Sequence, residues 1–346
     1  MRTLTVGGFE RVPAARQRPG STGGVRCWGA LGRIAAVLVV VEASVVVAAA
    51  RSSLQRTVYA MGTQLELEVE GLPPGELTAA TEAAVREVER IEAACSTWRA
   101  DSDWSRLNAS GGAEVVLARE WLSLLGTVVE WSHRTQGAFD PVLGALIRAW
   151  GTRRGGRVPS AQELALAREA SGVGLLVIDL SGGTARLRHP AAALEEGAFL
   201  KGYALDRMAE VLRRAGVTTG VLDFGGQVLA FGRHRRSGIS APDARHRVKA
   251  EVDIEDASLS TSGTSERGRH ILDPMTGERS EAWGSVSVVA SDGLTADILS
   301  TALYVMGPER GLRWANAHRV AALFQRTGEP PLRSESLSVT LIRSRP

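Results

Sequence analysis

Asp297 and Thr301 stand four residues apart in ADILSTALYVMG (296–307), an otherwise apolar stretch whose spacing predicts a helix, so their oxygens project from one face. A carboxylate and a hydroxyl so placed suit a hard cation. Magnesium takes oxygen ligands and keeps waters or a substrate phosphate, so two side chains and a carbonyl would be a sufficient protein share. The competing reading is a first-turn Asp that favours the helix dipole, with the Thr turned into the core. A second stretch with chemical content is EEGAFLKGYALD (195–206), where a glycine turn opens a helix. Backbone N–H groups and the positive end of such a helix can hold a phosphate; the competing reading is an ordinary turn. Lys201 and Lys249 are the only lysines among 41 basic residues, so an amine at 201 fits a point-charge contact to phosphate.

Alternating strands and helices must position these groups. TVYAMGTQLELEVEG (57–71) reads as a strand and its exit, and ELTAATEAAVREVERIEAAC (76–95) has the apolar spacing of an amphipathic helix. A polar loop follows at 96–110, a helix at 118–134, and a turn feeding another helix at 137–151. The stretch 152–160 reads as a loop, with Ser160 a cap for the helix at 161–170. Strands at 174–180 and 184–188 form a hairpin. The helix opened by the glycine turn stops at Gly216. Segments 220–232, 247–254 and 284–290 read as strands, 309–322 as a helix and 336–343 as a last strand. The fold class is α+β, with mixed, largely antiparallel sheets and packed helices.

The 346 residues are 44% hydrophobic, enough for a substantial core. Lys plus Arg number 41 against 38 acids, but six arginines and two acids fall in residues 1–50; beyond them the count is 35 against 36. The positive excess lies in the leader, so there is no case for nucleic-acid binding. In that leader, Arg26 and Arg33 precede IAAVLVVVEASVVVAAA (34–50), a charged, then apolar, then small-residue pattern of an export signal. An uncleaved anchor is the rival, set back by Glu42 within a short apolar run. The domain division is therefore a leader or anchor at 1–50 and one domain at 51–346. Export across the bacterial inner membrane, to a periplasmic or periplasm-facing anchored state, is the expected localisation. Cys27 precedes the apolar run, so it is no lipid-bearing cysteine, and removal of the leader leaves Cys95 alone.

In chain order, AMGT (60–63), STWRADSDWSRLN (96–108), GAFDP (137–141), EEGAFLKGYALD (195–206), LDFGGQ (222–227), STSGTSERG (260–268), RHILDPMTGE (269–278) and ASDGLTADILSTAL (290–303) form a series. As a set it resembles the ApbE family, the FAD:protein FMN transferases, across residues 57–307. The resemblance implies an ApbE-like, T-fold-like architecture and an enzyme that binds FAD with magnesium on the pyrophosphate. The FMN half would pass to a Thr or Ser hydroxyl of an acceptor flavoprotein, a membrane or periplasmic redox subunit, leaving AMP. It places flavin contacts on Met61, on Trp98 where another aromatic is more usual, on Ala138, Phe139 and Asp140, on Glu195 and Lys201, and on Ile271. Metal positions fall on Asp297, Ser300 and Thr301, and on Ala198 through its carbonyl. His270, with Asp273 as its aid, is the candidate for deprotonating the acceptor hydroxyl, because an imidazole titrates near neutral pH.

Trp98 and Phe139 are the candidates for an aromatic slot around the flavin, each with a core role as the alternative. Glu195-Glu196-Gly197 stands where Asp-Leu-Gly is usual, and Gln227 where an acid or Asn is usual. Glu196 adds a charge beside a phosphate, unfavourable unless it points to solvent or to the metal. Two other readings use the same residues: an FAD pyrophosphatase with water as acceptor, and a non-catalytic FAD-binding protein.

Overall fold

The stretch read as one strand at 57–71 is a hairpin. β1 (Ser53–Ala60) and β2 (Thr63–Glu70) pair antiparallel from Ser53↔Glu70 to Ala60↔Thr63. Met61 (φ 45°) and Gly62 (φ 73°) both occupy the left-handed region, as a two-residue primed turn requires. The alternation continues on both sides of the turn, and a methionine does not advertise positive φ, so the break is hidden.

The computed structural model describes residues 52–263 and 270–341, all within one compact unit, Ala50–Pro346. The leader read at 1–50 and residues 264–268 of STSGTSERG lie outside the described residues.

α1 (Pro74–Cys95) starts with proline in its first turn and buries Leu77, Ala84, Val88 and Ile91 along one stripe. α2 (Asp103–Ala109) occupies the end of the expected polar loop, its first turn capped by Ser102 Oγ, which accepts from Ser105 N at 3.0 Å. Next come β3 (Val115–Val116), α3 (Arg119–Arg134) and α4 (Gly144–Trp150). A single helical turn, Thr152–Arg154, leads to α5 (Ala161–Glu169), where Ser160 and Glu163 form a reciprocal capping box. β4 (Leu176–Asp179) and β5 (Thr184–Leu187) are the expected hairpin, and α6 (Leu200–Arg214) is the helix after the glycine turn.

The segment read as a strand at 220–232 is a second hairpin, β6 (Thr219–Phe224) and β7 (Gln227–Phe231). β8 (Arg235–Ala241), β9 (Ala244–Ile254), β10 (Ala257–Gly263) and β11 (Ser285–Ala290) follow. α7 (Gly293–Ala317) joins two helices across a kink at Gly307 (φ 74°, ψ 168°) and Pro308. The expected helix at 309–322 therefore ends early, and its last residues belong to β12 (Ala321–Gln325). β13 (Leu332–Arg333) and β14 (Thr340–Leu341) are two-residue edge strands.

Among the described residues every strand pair is antiparallel. One eight-stranded sheet has the order β1-β2-β6-β7-β10-β11-β12-β13, with smaller sheets β14-β9-β8 and β3-β5-β4. On one face of the large sheet, Leu65, Val286 and Phe324 pack with Val88, Leu205 and Ile298 from α1, α6 and α7. On the other, Leu259 and Leu323 meet Ile239 and Val252 of the small sheet. Each such burial contributes about 2 kcal/mol. A third cluster joins Leu146 and Ala167 of α4 and α5 to Leu272. No described helix is long and apolar enough to cross a membrane.

Candidate active site

The starts of α6 and α7 touch backbone to backbone. A Cβ on Gly202 would lie 2.2 Å from the Gly293 carbonyl oxygen, and one on Gly293 would lie 2.5 Å from that of Gly202. Only two glycines allow this approach. It brings the turn before α6 against the first turns of α7, and Asp297 Oδ2 accepts from Gly202 N at 3.1 Å. Neighbours fix the start of α7. Asp292 Oδ1 caps it by accepting from Thr295 N at 2.7 Å, and Asp206 accepts from Gly293 N at 2.6 Å and from Leu294 N at 2.9 Å. Gln227 Nε2 donates to the Gly293 carbonyl at 2.8 Å, so this departure from the usual residue ties β7 to α7.

Asp297 is buried. Burial pushes its pKa up, opposed by the Lys201 charge and the Gly202 N–H. Asp206 is driven the same way, up to about 7, because desolvation outweighs its two amide donors. Beside Asp297 lies a row of hydroxyls: Ser262 Oγ is 2.8 Å from Ser300 Oγ and 3.3 Å from Thr301 Oγ1. Ser300 is fully buried and also donates to the Asp297 carbonyl at 3.0 Å. Its hydroxyl ties α7 to β10 and keeps its lone pairs, so Asp297, Ser300 and the half-buried Thr301 are the α7 side chains of this group with oxygens to offer.

A buried carboxylate with one amide donor is short of positive charge, and the oxygen-only surroundings fit a hard cation. Among the described residues no cluster of three or more His, Cys, Asp or Glu could hold a metal ion. Asp297 would be the lone carboxylate ligand, so further oxygens must come from hydroxyls, carbonyls, water or substrate.

Seven residues before Gly202 lies a second group. Glu195 Oε2 accepts from Arg153 Nη2 at 2.5 Å, and Arg153 Nη1 donates to the Thr97 carbonyl at 3.0 Å. The Arg153 guanidinium also donates to Thr97 Oγ1 and lies over the Trp98 ring, 4.3 Å from its centroid. Trp98 is 67% exposed. Glu196 faces neither solvent nor the Asp297 group, the two orientations expected for it. It is buried, accepting from Thr97 N at 2.9 Å and from Thr97 Oγ1, with Arg153 at 3.7 Å. Burial and then the Glu196 charge raise the Glu195 pKa to about 7, against Arg153.

GAFDP reaches this group through its backbone, since Glu195 N donates to the Pro141 carbonyl at 2.8 Å. Its side chains turn elsewhere. The Phe139 ring is 2% exposed and packs edge-on against Phe199, so it is core and not a wall of an aromatic slot. Ala138 is likewise buried. Asp140 spends its carboxylate on backbone, accepting from Val142 N and Val173 N at 2.7 Å each. Met61 offers its amide to Glu92 Oε2 at 3.1 Å. Ala198 and Ile271 are half-buried against the main core.

Asp273 closes its own turn, its Oδ1 accepting from Met275 N at 2.8 Å and its carbonyl from Gly277 N at 2.8 Å. That role takes one carboxylate oxygen and the backbone carbonyl, and it holds Asp273 within the turn three residues after His270. Leu272 and the Trp150 Nε1 bond to the Gly277 carbonyl, at 2.8 Å, anchor this turn to α4 and α5 and so position the half-buried His270.

Sequence reading missed Arg153, Asp206 and Ser262. Arg153 is one basic residue in an arginine-rich chain, in a stretch read as loop, and carried no spacing signal. Asp206 sits within EEGAFLKGYALD and could have been flagged as an acid on an apolar helix face.

The chain matches the ApbE family model over residues 61–324. It is 30% identical over 257 residues to a FAD:protein FMN transferase of Vibrio cholerae serotype O1, covering 69% of this chain and 76% of that protein. The apo structure of the Pseudomonas stutzeri flavinyl transferase ApbE superposes with a TM-score of 0.73 at 30% identity, over 83% of this chain and 96% of that one. The apbe protein of Thermotoga maritima gives a TM-score of 0.76 at 26% identity, over 82% and 98%.

Proposed function

The chain belongs to the ApbE family, and on that premise we propose that it is an FAD:protein FMN transferase. In this reading it uses magnesium to move FMN from FAD to a Thr or Ser hydroxyl of an acceptor flavoprotein, releasing AMP. The observation that carries it is the Gly202 N–H on Asp297, which joins a phosphate-type turn to a candidate cation ligand. The bond formed is phosphorus to acceptor oxygen, the bond broken is the pyrophosphate bridge, and AMP leaves.

Magnesium, held by Asp297, Ser300, Thr301 and the Ala198 carbonyl, would neutralise charge on the pyrophosphate. The Lys201 amine adds a second positive charge at the same turn. Trp98 offers an exposed ring to the flavin, and Glu195 a hydrogen-bonding carboxyl beside it. Ala138, Phe139 and Asp140 contribute by shaping the backbone that meets Glu195, and Met61 and Ile271 supply apolar surface. His270 takes the acceptor proton. The leader sequence supports export, with the domain periplasmic or anchored facing the periplasm and a redox subunit there as acceptor.

Incubation of the purified chain with FAD, magnesium and candidate acceptors should add the mass of FMN to a Thr or Ser. Appearance of AMP and free FMN without an acceptor would instead mark a pyrophosphatase. Tight FAD retention without AMP release would mark a binding protein.

A further inference from the structure

Arg153 lies outside the motif series, yet it links three segments distant in sequence. Its guanidinium reaches Glu195 Oε2 at 2.5 Å and the Thr97 carbonyl at 3.0 Å, bonds Thr97 Oγ1, and covers one face of Trp98 at 4.3 Å. Thr97 in turn gives both its donors to Glu196. Arg153 Nε is buried and has no partner. With two-thirds of its surface in solvent, the Trp98 ring is held by this cation more than by core packing. Two adjacent carboxylates, Glu196 buried and Glu195 half-buried, would repel without it, and Glu196 stands where the family pattern has an apolar residue.

We infer that Arg153 is a positioning residue for the flavin dinucleotide: it fixes the Trp98 ring and Glu195 in their receiving arrangement, and Glu196 creates the need for it. This rests on the flavin-binding part of the proposed function. A lysine would not replace it, because an ammonium can neither bridge Thr97 and Glu195 as a planar fork nor lie flat on the indole.

The test compares wild type with Arg153→Gln, Arg153→Lys and the double variant Arg153→Gln/Glu196→Gln. FAD affinity is read by flavin fluorescence, kcat and KM with saturating acceptor, and folding by thermal melts. Arg153→Gln should weaken FAD binding and raise its KM about tenfold or more, with kcat at saturating FAD within about threefold of wild type. Arg153→Lys should recover little of this, and the double variant should recover most of it. Wild-type FAD affinity in Arg153→Gln, a fall in kcat with KM unchanged, or a double variant as weak as the single would overturn the inference. If Arg153→Gln gives no cooperative melt, Arg153→Lys decides: weakened FAD binding supports the inference and wild-type binding overturns it. A wild type that binds FAD but transfers nothing would sink the transferase reading alone, whereas one that does not bind FAD would sink both.

Discussion

The two halves of the candidate site are built from different materials. Around Asp297 the geometry is set by backbone: two glycines in contact, an amide on a carboxylate, and a helix start held by Asp206, Asp292 and Gln227. Around Glu195 it is set by side-chain charge on a turn near the surface, where Arg153, Thr97 and Glu196 hold one another and an exposed tryptophan. Backbone contacts leave no room for substitution, whereas side-chain ion pairs can be re-composed. The departures from the family pattern fit that division: Glu195 and Glu196 sit in the adaptable half, and Gln227 fills a position where an amide can still reach the Gly293 carbonyl.

This contrast can be broken or sharpened by mutation. The largest effect should come from Asp297→Asn, expected to cut turnover by at least about a hundredfold, some 3 kcal/mol, with the thermal melt preserved. Retained turnover would remove Asp297 from the chemistry. Gly202→Ala should destabilise the fold by roughly 3 kcal/mol, since its methyl would collide with the Gly293 carbonyl and the Asp297 Cβ, neither of which is a flexible side-chain end; chemical denaturation measures this. An equal loss from Gly197→Ala, whose Cβ would meet only the Glu195 carboxyl at 3.4 Å, would erase the proposed difference between the halves.

Asp206 sharpens the comparison through pH. Its folded-state pKa is raised to about 7, so the folded protein binds the proton more tightly than the unfolded chain. Its contribution to stability is then greatest at low pH and falls as pH rises from about 4 to 7, by roughly 4 kcal/mol. Asp206→Asn should flatten that part of the profile of Tm against pH, and an unchanged slope would exclude Asp206 as its source. The smallest effect is expected from Trp98→Ala. FAD KM should rise several-fold, on the order of 1 kcal/mol, while Tm hardly moves, because the ring is mostly in solvent.

Legibility in the sequence followed periodicity. α1 was visible because apolar residues recur on one stripe, and the Ser160 capping box because its two residues are local. β10 was not, because its SLSTSG stretch turns serine hydroxyls toward α7, where an apolar alternation would have announced a strand. The nearness of Asp297 to the glycine turn was readable from the motif series, although neither spacing nor composition encodes a contact across 95 residues. Phe139 shows the reverse: its residue type suits an aromatic slot, but the backbone turns it against Phe199. Arg153 acquires meaning only when the fold carries it to Thr97 and Glu195.

The paired glycines carry one more consequence. A joint with no side chains between its members has no slack, so neither helix can ratchet past the other without tearing the amide of Gly202 from its carboxylate. The helix junction is thereby the fixed doorpost of the site, and the exposed tryptophan on its separate turn stands across from it as the rim.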